Sequence, residues 1–162
     1  MARQLRIEES LRTFLITGAT DGIGLFTAKL LAQTAPAVED PTAKRIIAIH
    51  GRSEDKLADA YGEIQCYGDL NNYEIRKFCY DFEDMEQVDK FVNDVLKKFP
   101  GDDNDDDHTN RQLDCVINNA GIFDESAPNY SKCKRYELTF MVNVVAPFII
   151  TKRIMEEMPV KP

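Results

Sequence analysis

Gly18, Gly22 and Gly24 lie within seven residues, spaced G-x-x-x-G-x-G, and separate two apolar series of different period. Before them runs Thr13-Phe14-Leu15-Ile16-Thr17; after them come Ile23, Phe26, Leu30 and Leu31. The change from strand-like to helical spacing makes this a strand, a tight turn and a helix N-terminus in direct succession. Backbone N–H groups in the first helical turn have no intrahelical partner, the helix dipole is positive there, and missing Cβ atoms let a pyrophosphate come close. The strict G-x-G-x-x-G spacing is absent, so by itself the turn is also compatible with a plain structural corner.

Other polar residues close later apolar runs. His50-Gly51-Arg52 ends a second, Asp81-Phe82 a third and Asn118-Asn119-Ala120-Gly121 a fourth, while Asn143 stands inside a long apolar series. Two adjacent asparagines at a strand end need hydrogen-bond partners that a bare loop would not demand. An amide in so apolar a helix is expected to be buried and therefore bonded. Each has a blander reading: Arg52 as a surface arginine at a helix start, Asp81 as a turn residue, Asn143 as a purely structural amide.

The elements that must position these groups alternate. The first helix is expected to end near residue 35, with a loop over 36–42. Residues 44–50, with Ile46, Ile47, Ala48 and Ile49 unbroken, suit a parallel strand covered on both faces. Ser53 is a good N-cap for a short second helix, and residues 61–73 read as irregular. A third strand is expected over 75–82. Asp84 then caps a helix bearing Val88, Phe91, Val92, Val95, Leu96 and Phe99 at spacings of three and four. Residues 113–117 form a fourth strand, and a long helix from about 131 to 158 contains Pro147, which removes one backbone bond. Four strand–helix alternations predict an α/β fold with a parallel sheet and right-handed crossovers.

With these pieces in this order, the chain resembles the short-chain dehydrogenase/reductase family from about residue 11 to about residue 158. The resemblance implies a Rossmann-type doubly wound sheet, here truncated, with strand order 3-2-1-4 and an uncovered edge at the fourth strand. It implies one incomplete dinucleotide-binding domain over 1–162, since members are usually longer. Gly18, Thr20, Gly22, Ile23 and Gly24 then look like the pyrophosphate cradle, with Asp21 in the same turn. Asp81 looks like the acid accepting the adenine amino group, with Phe82 beside it. Asn118, Ala120 and Gly121 match the segment along which the adenosine side lies. Dinucleotide choice is made beyond the second strand, where a carboxylate suits a ribose 2′-OH and an arginine a 2′-phosphate. Gly51-Arg52 with no acid before Glu54 favours NADP over NAD, although the acidic Asp21 points the other way.

Asn143 matches the family's helical asparagine, which holds a water in the proton relay to a catalytic lysine. The family's general acid is a tyrosine whose pKa is lowered by a lysine four residues on, with a serine beside the carbonyl. Tyr73/Lys77 and Tyr130/Lys134 have that spacing but not the setting: the first runs into a strand, and the second precedes Asn143. The implied reaction is hydride transfer between NADP(H) and a small carbonyl or alcohol, with little or no turnover expected from these residues alone. A non-catalytic nucleotide-binding or scaffold role is the other reading. Relatives often pair through the long helix, so a homo-oligomer, or a partner over the open sheet edge, is expected.

Composition narrows the classes. A chain of 162 residues, 43% hydrophobic, can bury one core. Its net charge of −8 and lack of a basic stripe argue against nucleic acid. Cys66, Cys79, Cys115 and Cys133 form no C-x-x-C pair and the chain has only two histidines, so no metal site is expected. The acidic run 102–107 lacks EF-hand residues and reads as a flexible loop over 101–112. Residues 1–10 lack a signal-peptide core. The apolar run 141–150, broken by Asn143 and Pro147, is too short to span a bilayer. Free thiols and these features predict a cytoplasmic protein.

Overall fold

The computed structural model describes residues 12–39, 44–99, 113–123, 130–132 and 134–158. The acidic run and Cys133 lie outside them. Four strands, β1 (Thr13–Ile16), β2 (Arg45–Gly51), β3 (Tyr73–Cys79) and β4 (Cys115–Ile117), pair in parallel in the order β3-β2-β1-β4. Between them run α1 (Gly22–Gln33), α2 (Glu54–Gln65) and α3 (Met85–Lys98). After β4 come α4 (Leu138–Phe140), a π-helical turn (Met141–Val145) and α5 (Ala146–Glu157).

The pleat explains the unbroken apolar run in β2. Ile47 and Ile49 join Phe14 and Ile16 of β1 in a core under α1 and α2, where Leu57, Ala60 and Ile64 pack. Ile46 and Ala48 point the other way with Leu15 and Phe78, into a core closed by α3, the π turn and α5. All seven residues of β2 are buried, as a central parallel strand between two helical layers requires. The three residues of β4 are only half-buried. The expected fold class and strand order are those observed.

Several boundaries differ. Helix α2 runs through Gly62 to Gln65, where irregular structure was expected, because Ile64 completes a buried 57/60/64 stripe that outweighs the glycine. Strand β3 starts at Tyr73 and ends at Cys79, earlier than the expected 75–82. Tyr73 is buried with its hydroxyl donating to Tyr67 O at 2.7 Å and lying 3.1 Å from Ile64 O, while Asp81 and Phe82 lie in the turn beyond the strand. The last helix begins at Leu138 rather than near 131. Residues 130 and 137 form an antiparallel bridge, Lys134 has φ +52°, and Glu137 caps the helix by accepting from Thr139 N and Phe140 N.

Pro147 sits in the first turn of α5, directly after the π turn in which Ala146 N–H reaches back to Met141 O. A π turn widens the ladder by one residue at the point where proline cannot donate. The helix is thereby continuous over Leu138–Glu157, 20 residues with mean hydropathy 1.5, long and apolar enough by length and composition alone to cross a membrane. Its Met141, Ala146, Ile150 and Ile154 pack in the core with α3.

Candidate functional site

The carboxyl ends of the strands open on a cleft of about 450 Å³, and Gly18, Thr20, Asp21 and Gly22 form one wall. Gly18 has φ +64°, and a Cβ there would lie 2.7 Å from the Ala120 Cα. Only glycine takes that conformation without strain while leaving room for the neighbouring loop. Gly24 is buried beneath the turn, where a Cβ would strike Gly18 O and the Asn119 amide. Asp21 caps α1 by accepting from Gly22 N at 2.7 Å. The amides of Ile23 and Gly24 are first-turn donors without an intrahelical acceptor. The Ile23 side chain itself faces solvent, 77% exposed.

Long-range hydrogen bonds join this turn to the loop after β4. The Thr17 hydroxyl accepts from both Asn119 N and Ala120 N at 3.0 Å, and the Asn119 amide donates to Thr17 O at 3.1 Å and Gly18 O at 2.9 Å. Ala120 and Gly121 consequently lie along the cleft as a strip of small residues. Of the two asparagines, Asn119 makes the bridge; Asn118 instead donates to the Thr151 hydroxyl of α5 at 2.9 Å and is not a cleft wall residue.

The third wall is tied to the first by His50. Its Nδ1 accepts from Gly18 N at 3.3 Å, its Nε2 lies 2.9 Å from Tyr80 O, and its ring stacks on Phe82 at 4.0 Å. With a backbone N–H at one nitrogen and a carbonyl at the other, the imidazole is the neutral Nε2–H tautomer. Burial pushes its pKa down to about 4, against the opposing pull of the Tyr80 carbonyl and Asp81. Asp81 folds the loop after β3 by accepting from Glu83 N at 3.1 Å, and it pairs with Lys132 at 3.1 Å. That carboxylate raises the Lys132 ammonium above its ordinary pKa. Arg52 reaches Glu83 at 3.3 Å.

Asn143 is exposed, not buried as expected, yet it is fully engaged. It accepts from Ile122 N and donates to Ile122 O, both at 2.8 Å, so it clamps the loop after Gly121 from outside the cleft wall. Neither Tyr-x-x-x-Lys pair approaches a catalytic arrangement. Tyr73 is buried at the start of β3, and Tyr130 is exposed with Lys134 in a left-handed conformation. Sequence reasoning did not assign Thr17, His50, Asn119 or Glu83 to the site. The Thr17, His50 and Asn119 signals were present as polar residues ending apolar runs; for Glu83 no local pattern distinguishes it. No group of metal-ligating side chains occurs among the described residues.

Parallel strands, a glycine turn entering a helix at their carboxyl ends, and an adjacent strip of small residues define a Rossmann-type α/β domain. The chain belongs to the short chain dehydrogenase family, whose sequence profile matches residues 12–162. It is 28% identical over 137 residues to short-chain dehydrogenase anuI of Penicillium roqueforti, covering 85% of this chain and 46% of that protein. A short-chain type dehydrogenase/reductase from Mycobacterium ulcerans superposes with a TM-score of 0.63 at 26% identity, over 91% of this chain and 46% of that one. L-sorbose reductase from Gluconobacter frateurii, solved with NADPH and L-sorbose, gives a TM-score of 0.65 at 19% identity, over 94% and 50% of the two chains, a likeness of fold. The chain thus spans less than half the length of the curated relative and about half that of the solved ones.

The residues present suit a dinucleotide on structural grounds. The Gly18 corner would be filled by a single Cβ, Gly22 at the start of α1 lines the cleft beside it, and the wall at Ala120 and Gly121 carries almost no side chain. Plugging side chains at that corner would have excluded the group.

Proposed function

We propose that this chain supplies the cofactor-binding part of an oxidoreductase that transfers hydride between NADP(H) and a small carbonyl or alcohol. The observation that carries the NADP reading is Arg52, the one residue with a permanent positive charge among the described cleft walls, at the carboxyl end of β2 with no carboxylate beside it in sequence. An arginine at that place suits a 2′-phosphate, and the similar-fold L-sorbose reductase was solved with NADPH. When bound, the nicotinamide supplies the hydride. The chain's own residues would bind and orient: first-turn amides of α1 with Gly18 and Gly22 for the diphosphate, Asp81 and Phe82 for the adenine, Ala120 and Gly121 for the adenosine side. Asn143 would hold the loop beyond Gly121, at the position of the helical asparagine that in the family holds a water of the proton relay.

Residues 1–162 contain no serine and Tyr-x-x-x-Lys set after Asn143, so by themselves they would bind the cofactor without turnover. A second reading, a nucleotide-binding or scaffold subunit whose partner or second copy covers β4, is favoured by that strand's half-buried edge. The free Cys66, Cys79 and Cys115 suit the reducing cytoplasm. Calorimetric titration tests the cofactor reading: NADPH binds more tightly than NADH, and Arg52→Ala lowers the preference about tenfold, as loss of a charge-assisted bond would. Equal affinities in the unaltered chain would remove it.

A further inference from the structure

We propose that Glu83 sets how strongly this cleft discriminates a 2′-phosphate from a 2′-hydroxyl, by competing with the phosphate for Arg52. The inference rests on the NADP reading and adds a residue to it. Three carboxylates, Asp21, Asp81 and Glu83, line the cleft against Arg52. Asp81 is neutralised by Lys132 at 3.1 Å and Asp21 is turned to the Gly22 amide at 2.7 Å; the partner of Glu83 is Arg52, at 3.3 Å.

The two members of the pair are not equally free. Glu83 is pinned at both ends of its backbone: its N–H donates to Asp81 Oδ1 at 3.1 Å and its carbonyl accepts from Lys132 N at 3.3 Å. The next residue, Asp84, caps α3. The Glu83 side chain is 26% exposed, whereas that of Arg52 is 64% exposed. The carboxylate therefore stays and the guanidinium moves. An incoming 2′-phosphate must draw Arg52 off Glu83, which an exposed pair permits at modest cost. A cofactor with a 2′-hydroxyl does not make that demand.

The test is a double-mutant cycle on the full chain, read as the ratio of NADH to NADPH dissociation constants. Glu83→Gln keeps the shape and the backbone bonds and is expected to raise the ratio about two- to fivefold, the factor an exposed ion pair commands. In an Arg52→Ala background the same change has no further effect. If Glu83→Gln leaves or lowers the ratio while Arg52→Ala still collapses it, the competition is refuted and the NADP reading stands. If Glu83→Gln raises the ratio equally in both backgrounds, simple repulsion acts in place of competition and the proposal falls. If Arg52→Ala leaves the ratio unchanged, both readings fall together.

Discussion

Two buried polar side chains stand five residues apart on β2, and they serve opposite ends of the sheet. Arg45, 4% exposed, donates to Leu31 O at 2.9 Å and the Thr34 hydroxyl at 3.2 Å, with its guanidinium over the Phe14 ring. His50, 3% exposed, joins Gly18 to Tyr80. Arg45 thus satisfies one carbonyl and one hydroxyl at the end of α1, far from the cleft, and leaves its own Nε without a partner. Burial pulls its guanidinium below the ordinary arginine range. His50 has both ring nitrogens engaged and connects the glycine turn to the loop of Asp81 and Phe82. Equal burial on one strand therefore marks a structural anchor at one end and a positioning residue at the other. What separates them is the segment each side chain reaches.

The largest effect is expected from His50→Ala. It orphans Gly18 N–H and Tyr80 O and opens space under Phe82, costing about 3 kcal/mol in urea unfolding and weakening NADPH at least about fivefold in calorimetry. Unchanged affinity would erase the distinction between the two residues. Next comes acid. His50 is neutral when folded, with a pKa of about 4, against 6.5 unfolded. Between those values the unfolded chain binds the extra proton, so its contribution is complete above pH 6.5 and declines as pH falls toward 4. Stability should drop by about 2 kcal/mol from pH 6.5 to 5, and His50→Gln should flatten that slope. The smallest effect is Arg45→Met, which removes a buried charge along with its bonds and should shift stability by no more than about 1.5 kcal/mol. NADPH affinity should not change; an equal loss with His50→Ala would break the comparison from the other side.

Legibility followed range. The strand, turn and helix around Gly18, the Asp84 cap and the stripe of α3 depend on neighbours a few residues away, and they could be read directly. Asp84 accepts from Glu86 N and Ser53 from Lys56 N, local bonds written into residue type. The start of the last helix lies later than residue 131 because Ser131 bonds to Tyr136 O and Glu137 caps the helix instead. Asn143 misled because an apolar sequence context suggests burial. In fact the side chain lies at the surface, bonded to the loop that passes over it.

Residue order alone determined that strands and helices alternate and that a glycine turn opens α1, because these follow from period, steric size and capping within a few residues; the resemblance to short-chain dehydrogenases rested on the order of the motifs that close the strands. Tertiary structure alone decided the partners that shape the cleft. Thr17 meets Asn119 across 102 positions, Asp81 meets Lys132 across 51, Arg52 meets Glu83 across 31 and His50 meets Gly18 across 32. Such pairings arise only when the parallel sheet brings strand ends together, and no local pattern of residue types encodes which donor reaches which acceptor.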